Sequence, residues 1–355
     1  MKTAAKRSLI YLLLPALLVF LAGCAAIGPK TIPRDRFDYS IGLATSWKNQ
    51  MLLNIVKLRY MDTPVFLDVT SVINSYTLQT EVNLGLTFKQ PGSENSQVLG
   101  GKGLYSDRPT ITYSPLIGKR FLKALLTPTK PRTIFNLIQI GWRADALMSL
   151  TVKSINGIYN YGSKGPDQPD IDPRFASLLS AFRRIQLSDA IGMRMKPTES
   201  GATPLIFFRR NASEEVLKDV RYIREILGLD PEADELSMRF AVVPVNNTEL
   251  AILTRSMLEV LIAISIGVEV PPEDVESNRA TPGLSDPGVE SLIHVRSGEK
   301  KPEDAFVTIP YRDRWFWIED TDLESKRLFT FLVVLFTLTE SGESAPGPMI
   351  TIPAG

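Results

Sequence analysis

Apolar residues recur at helical spacing early in the chain and at strand spacing soon after. Between residues 40 and 60, Ala44, Trp47, Met51, Ile55 and Leu58 fall 3, 4, 4 and 3 apart, which places them on one stripe of a helix. Met61-Asp62-Thr63-Pro64 ends it, because the residue before proline is pushed out of helical geometry. From residue 65 the period becomes two. Val65, Leu67, Val69 and Ile73, then Tyr76, Leu78, Val82, Leu84, Leu86 and Phe88, alternate with positions such as Thr77, Gln79, Glu81, Asn83 and Lys89. One polar face on such strands predicts an antiparallel sheet covered on one side. A turn at 91–96, strands at 98–99 and 110–113, and helices at 119–126 and 132–142 follow. Residues 147–159 are apolar enough for either element and read as a strand.

Residues 161–173 (YGSKGPDQPDIDP) are dense in Gly, Pro and Asp and read as a linker. Beyond them the pattern predicts a helix at 174–187, strands at 191–195 and 205–209, a helix at 213–227 and a strand at 238–243. An apolar helix at 248–266 would open on a capping box of Asn246 and Glu249. An acidic, proline-bearing loop at 271–287 precedes strands at 291–295, 305–310 and 315–318, a last helix, and a closing strand at 349–353. Strands mixed irregularly with helices argue for an α+β fold of antiparallel sheets with packed helices. The expected sub-domains are residues 40–160 and 174–355.

The first residues change the picture by giving an address. Lys2, Lys6 and Arg7 precede an apolar run at 9–21 that ends in Leu21-Ala22-Gly23-Cys24, where Cys24 is the single cysteine. A basic start, a short apolar core and small residues before a cleavage point make a secretory signal. As a helix of about 20 Å the run is too short for a ~30 Å hydrocarbon core. With cysteine directly after Leu21, Ala22 and Gly23, residues 1–23 resemble the signal peptide of a bacterial lipoprotein. That resemblance implies a covalent lipid on Cys24, several acyl chains in one leaflet, and lasting attachment to the bilayer. Ala25, where Asp would be the inner-membrane retention signal in a Gram-negative cell, implies an outer-membrane, periplasm-facing location. Residues 24–39, with Gly28, Pro29 and Pro33, read as an extended tether.

Composition then narrows the partners. Loss of Lys2, Lys6 and Arg7 takes the 40 basic residues to 37 against 39 acidic ones, a net charge of −2. Such a chain has no electrostatic case for nucleic acid. The 44% apolar content is that of a globular protein.

The inventory of reactive residues is short. His294 and Cys24 are the sole histidine and cysteine, which excludes a Cys–His nucleophile pair, a histidine-rich zinc site and an iron–sulfur cluster. Gly100-Gly101-Lys102-Gly103 fails the phosphate-loop pattern, because Ser96 and Gly103 occupy its first glycine and its Ser/Thr position. No cofactor and no metal site are expected. His294 reads as a strand histidine rather than a base. The densest cluster of charged and aromatic residues is 311–322. In one reading Trp315 and Trp317 stack on sugar rings while Asp313, Glu319, Asp320 and Asp322 supply paired carboxylates. In the other, Arg312-Asp313-Arg314 is a hairpin turn, Asp320 or Thr321 caps the final helix, and Lys326 and Arg327 pair with the acids. The run at 328–338 covers about 16 Å, half a membrane, and reads as a buried helix.

Several segments carry a resemblance as a set: Ser46-Trp47-Lys48 through Asn54-Ile55-Val56-Lys57-Leu58-Arg59-Tyr60, then Arg108-Pro109-Thr110-Ile111-Thr112-Tyr113-Ser114-Pro115. Leu253-Thr254-Arg255-Ser256-Met257 and Phe316-Trp317-Ile318-Glu319-Asp320 with Ser325-Lys326-Arg327 complete it. They resemble a family of Gram-negative envelope lipoproteins, and the likeness implies no activity or site residues. The sequence thus favours a non-catalytic, membrane-tethered protein that binds or scaffolds envelope components, with Trp315, Trp317, Asp313, Glu319 and Asp320 as its candidate surface. Its expected partners are the bilayer, through the acyl anchor, and envelope proteins. The alternatives are a carboxylate-dependent hydrolase of envelope glycan and, from the alternating strand at 76–88, a subunit of an outer-membrane assembly.

Overall fold

The computed structural model describes residues 28–73, 76–87, 96–116, 118–160, 172–198, 201–281, 283 and 291–340. Leu21, Ala22, Gly23 and Cys24, most of the 161–173 linker, the turn after residue 90 and the strand expected at 349–353 lie outside them. The fold is α+β. The chain divides into two compact units, one of Met1–Ser46 with Leu67–Pro115, the other of Trp47–Phe66 with Leu116–Gly355. The division expected at 161–173 is therefore not where the chain separates. Strands on both sides of that segment share one sheet, as shown below, and Gly, Pro and Asp mark a loop without saying whether a sheet resumes beyond it.

Helix α1 (Gly28–Arg59) begins far upstream of the apolar stripe. Met51, Leu52, Ile55 and Val56 are fully buried, and once such a turn is nucleated each added residue gains one hydrogen bond. Propagation carries the helix back over Pro33, so residues 28–39 are helical and not the extended tether their composition suggested. The helix stops where expected. Met61 takes a left-handed φ of 56°, and Asn54 clamps the exit by accepting from Val65 N and donating to Val65 O, both at 2.8 Å.

In the first unit, β1 (Leu67–Ile73) pairs antiparallel with β4 (Thr110–Pro115), and β2 (Tyr76–Thr87) with β3 (Ser96–Asp107). The register is the same on either side of residues 74–75. Ile73 lies opposite Thr110 and Tyr76 opposite Asp107, three residues along on each strand. Each pair is a two-stranded sheet of its own, and the register of β1 with β4 shifts at a bulge between Val69 and Ser71.

The second unit carries helices α2 (Lys119–Leu126), α3 (Pro131–Gln139), α4 (Ala144–Thr151), α5 (Pro173–Leu187) and α6 (Glu214–Ile226). Its larger sheet has the order β6 (Ile158–Tyr159), β5 (Val152–Ile155), β10 (Glu249–Thr254), β9 (Glu235–Arg239), β8 (Gly201–Phe208), β7 (Ile191–Thr198). Its pairs are antiparallel except β9 with β10. Two expectations need correction here. Residues 147–159 hold the end of α4 and a tight hairpin rather than one strand, because Asn156 and Gly157 both take positive φ and turn β5 into β6. Residues 248–266 are not one helix. Their first half is the buried central strand β10, and a strand covered on both faces reads as a continuous apolar run. Asn246 makes a local turn, accepting from Thr248 N and Oγ1. The capping box belongs to Ser256 and Glu259, which start α7 (Met257–Ser265).

Arg255 connects β10 to α7 and is 2% exposed. Its Nη1 donates to the carbonyls of Ser149 and Leu150 at 2.9 and 3.0 Å. These belong to the last turn of α4, where carbonyls lack helical partners and the helix dipole favours a cation.

A short helix α8 (Pro272–Glu276) lies within the acidic loop. The smaller sheet has the order β11 (Arg296–Gly298), β13 (Arg314–Glu319), β12 (Ala305–Tyr311). The strand expected at 291–295 is displaced to β11, and Val295 makes only an isolated bridge to Val268. The chain's described part closes with α9 (Leu323–Glu340). Leu328, Phe329, Phe331, Leu332, Leu335 and Phe336 are buried in the core. No described helix is long and apolar enough to cross a membrane.

Candidate functional site

The hairpin β12–β13 builds the site that the sequence singled out. Phe316 and Ile318 are buried with Ile309 and Val307 opposite them, so the intervening positions, Trp315 and Trp317, occupy the other face and are half-buried. Register places Trp317 between Arg296 and Thr308, and Trp315 between Gly298 and Pro310. Gly298 leaves room for the indole: a Cβ there would lie 3.2 Å from the Trp317 ring. Trp317 Nε1 donates to Glu319 Oε1 at 3.1 Å, and Arg296 Nε lies 3.4 Å from the same oxygen. The Lys301 ammonium sits 5.4 Å from the Trp315 ring centre, within cation–π range. The result is a partly open strand face that carries two indoles, with the Arg296–Glu319 pair beside Trp317 and Lys301 over Trp315.

The turn between the strands is strained. Arg312 and Asp313 have φ of 47° and 61°, both in the left-handed region that costs a residue bearing a side chain about 1 kcal/mol or more. The turn lines a cleft of about 630 Å³ with Arg279, Arg314, Asp274 and Glu299. Behind it the Arg312 guanidinium lies over the rings of Tyr60 and Tyr311, at 4.8 and 5.6 Å from their centres. The Tyr60 hydroxyl donates to Asp274 Oδ2 at 2.7 Å and the Tyr311 hydroxyl to Asp62 Oδ2 at 3.0 Å. Burial first, then the hydrogen bond to Asp274, holds the Tyr60 phenol well above its ordinary range. Burial and the bond to Asp62 do the same for Tyr311. Both phenols therefore stay protonated donors and are not poised as bases.

The candidate carboxylates separate. Asp313 lines the cleft, while Glu319 is taken by Trp317 and Arg296. Asp320 binds the Lys326 ammonium at 2.7 Å. Asp322, not Asp320 or Thr321, caps α9: its Oδ1 accepts from Ser325 N at 3.0 Å and its Oδ2 from Ser325 Oγ at 2.6 Å. His294 lies outside any strand with Nδ1 3.0 Å from Asp322 Oδ2. Among the described residues no group of three or more His, Cys, Asp or Glu is placed to hold a metal ion. The sequence reading missed Tyr60, Asp62, Asp274 and Arg279, which reach the turn from distant segments that no local pattern links.

Asp322 yields a pH prediction. Burial raises its carboxyl, but the Ser325 hydroxyl and amide and His294 outweigh that and hold it below the ordinary aspartate range. A depressed folded value means the stabilisation is complete above the unfolded value of ~3.9 and is lost as acidification passes through the lower folded one. Asp322→Ala is expected to cost about 1–2 kcal/mol near neutral pH through loss of the cap. Its urea midpoint should converge on that of the wild type as pH falls below that range. An equal gap at all pH values would show that the carboxylate does not carry the effect.

No family model, curated protein or solved structure matches this chain.

Proposed function

We propose that the chain is a non-catalytic lipoprotein of the cell envelope, anchored through Cys24 in the outer membrane on its periplasmic side, that binds or scaffolds envelope components through the Trp315–Trp317 face. One observation carries the binding surface. Two half-open indoles share a face with the Arg296–Glu319 pair, while Glu319, Asp320 and Asp322 are bound to structural partners. Large rigid rings beside charges are the composition of a contact surface, and carboxylates spent on caps and ion pairs are not free for acid–base work. The address rests on the basic start, apolar run and Leu21-Ala22-Gly23-Cys24.

The test uses the full-length protein in membranes. Cross-linking and affinity capture should retain a reproducible envelope partner, and the Trp315→Ala/Trp317→Ala pair should weaken capture at least tenfold while the variant still unfolds in one cooperative transition. Capture unaffected by the pair would reject the surface. Cys24→Ser should accumulate as uncleaved precursor, and normal processing of that variant would reject the anchor. Release of soluble fragments from envelope glycan, abolished by Asp313→Asn, would establish the hydrolase instead.

A further inference from the structure

The cleft at the β12–β13 turn is the feature this function leaves unused. Alternation sets Arg314 on the core side of β13 with the buried Phe316 and Ile318, on the face opposite Trp315 and Trp317. Arg314 is half-buried there and lines the cleft. Its Nε is buried, yet among the described residues its guanidinium makes no hydrogen bond or ion pair. Buried polar atoms in native proteins almost always have a partner.

Charges of both signs line this cleft. Arg279 and Asp274 offset each other at 3.7 Å, and Asp274 also accepts from the Tyr60 hydroxyl. The other charged groups are Arg312 and Arg314 on one side of the count, and Asp313, Glu273 and Glu299 on the other. Among the described residues no ion pair joins either of these guanidiniums to any of the three carboxylates. That holds even for Glu299, one residue beyond the Gly298 that pairs with Trp315. Elsewhere such neighbours close up, as Arg184 does on Asp219 at 2.6 Å and Lys153 on Glu259 at 2.8 Å. Arg312 is held by its contacts with the Tyr60 and Tyr311 rings, and a stacked guanidinium keeps its in-plane donors.

We propose that the cleft binds a short peptide by its two charged ends. The terminal carboxylate lies on Arg312 and Arg314, and the terminal ammonium on Glu273, Glu299 and Asp313. A carboxylate accepts two parallel bonds from a guanidinium and supplies the acceptor that Arg314 lacks. An anion alone would meet three acids against two guanidiniums, so the ligand carries a positive group as well. The same excess of acid favours the single charge of a carboxylate over the ~1.5–2 of a phosphate monoester. A volume of about 630 Å³ falls within the ~300–1,000 Å³ usual for small-ligand sites. The site depends on neither the anchor nor the indole face, so the failure of either leaves it standing.

Calorimetry on the full-length protein in a non-ionic detergent, with trialanine as the probe, should show binding that weakens with added salt. N-acetylation or C-amidation of the peptide should each weaken it at least tenfold. Arg314→Met should weaken binding at least tenfold with a urea midpoint no lower than that of the wild type, because it removes a buried donor that has no protein partner. Glu299→Gln, at an exposed position, should also weaken binding severalfold, and it decides alone if Arg314→Met does not fold. No heat with millimolar trialanine, equal affinity for the blocked peptides, or full affinity in either folded variant would each overturn the proposal. Tighter binding of inorganic phosphate or phosphoethanolamine than of trialanine would overturn the peptide as occupant.

Discussion

Phe336→Ala is expected to destabilise the second unit by about 3–5 kcal/mol, through lost transfer energy and the cavity left in a close-packed core. The ring is 2% exposed and stacks on Phe66 at 4.5 Å between centres, with Trp47 and Phe121 at 5.9 and 6.4 Å. Aromatic pairs add about 0.5–1.5 kcal/mol beyond area burial, which puts the expected value toward the upper end. Against a typical ~5–15 kcal/mol for a whole domain the loss is large, and urea melts of the chain lacking residues 1–24 would measure it. Val334→Ala on the same helix is the control. That side chain is 37% exposed and should change stability by no more than about 0.5–1 kcal/mol. Equal costs at the two positions would refute the core assignment of the helix.

The second large effect is expected at Arg255. Leucine there would take the guanidinium from both carbonyls; Ser149 O keeps the Asn160 amide at 2.7 Å, whereas Leu150 O loses the Arg255 donor. Hydrogen bonds to a charged group are worth about 1.5–3 kcal/mol each, and a buried orphan acceptor costs about 1–3, so Arg255→Leu should lose roughly 3 kcal/mol. Arg255→Lys should recover part of this, because an ammonium also supplies several donors from one nitrogen but on a shorter stem than the one that brings Nη1 to both carbonyls. Denaturant midpoints decide the matter. A leucine variant as stable as the wild type would show that the guanidinium fills space and does not cap α4.

Elements with one covered face were legible. The stripe through Met51 and Ile55 and the apolar row of α9 each imprint a period that burial on one side enforces. Elements covered all round were not. β10 and α7 are both rich in apolar residues, and the polar break Thr254-Arg255-Ser256 with the capping box of Ser256 and Glu259 was the one local mark of the boundary between them. Asn156-Gly157 is a strong local hairpin signal that could have divided residues 147–159. At the candidate site the turn at Arg312-Asp313 and the pair of tryptophans were readable. The assignment of acids was readable only in part, since Thr321 and Asp322 both precede α9 and local pattern does not say which carboxylate reaches the free amides.

By itself the sequence determined the α+β class and the reduced catalytic inventory of one histidine and one cysteine, because composition and period are local properties that survive any arrangement in space. Only the tertiary structure decided that residues on both sides of 161–173 share one sheet, that Tyr60 and Asp274 meet behind Arg312, and that β1 pairs with β4 while β2 pairs with β3. Those facts depend on contacts between segments far apart in the chain. The free energy of such contacts comes from matching surfaces and exchanged hydrogen bonds, and neither is written in the residues of one segment alone.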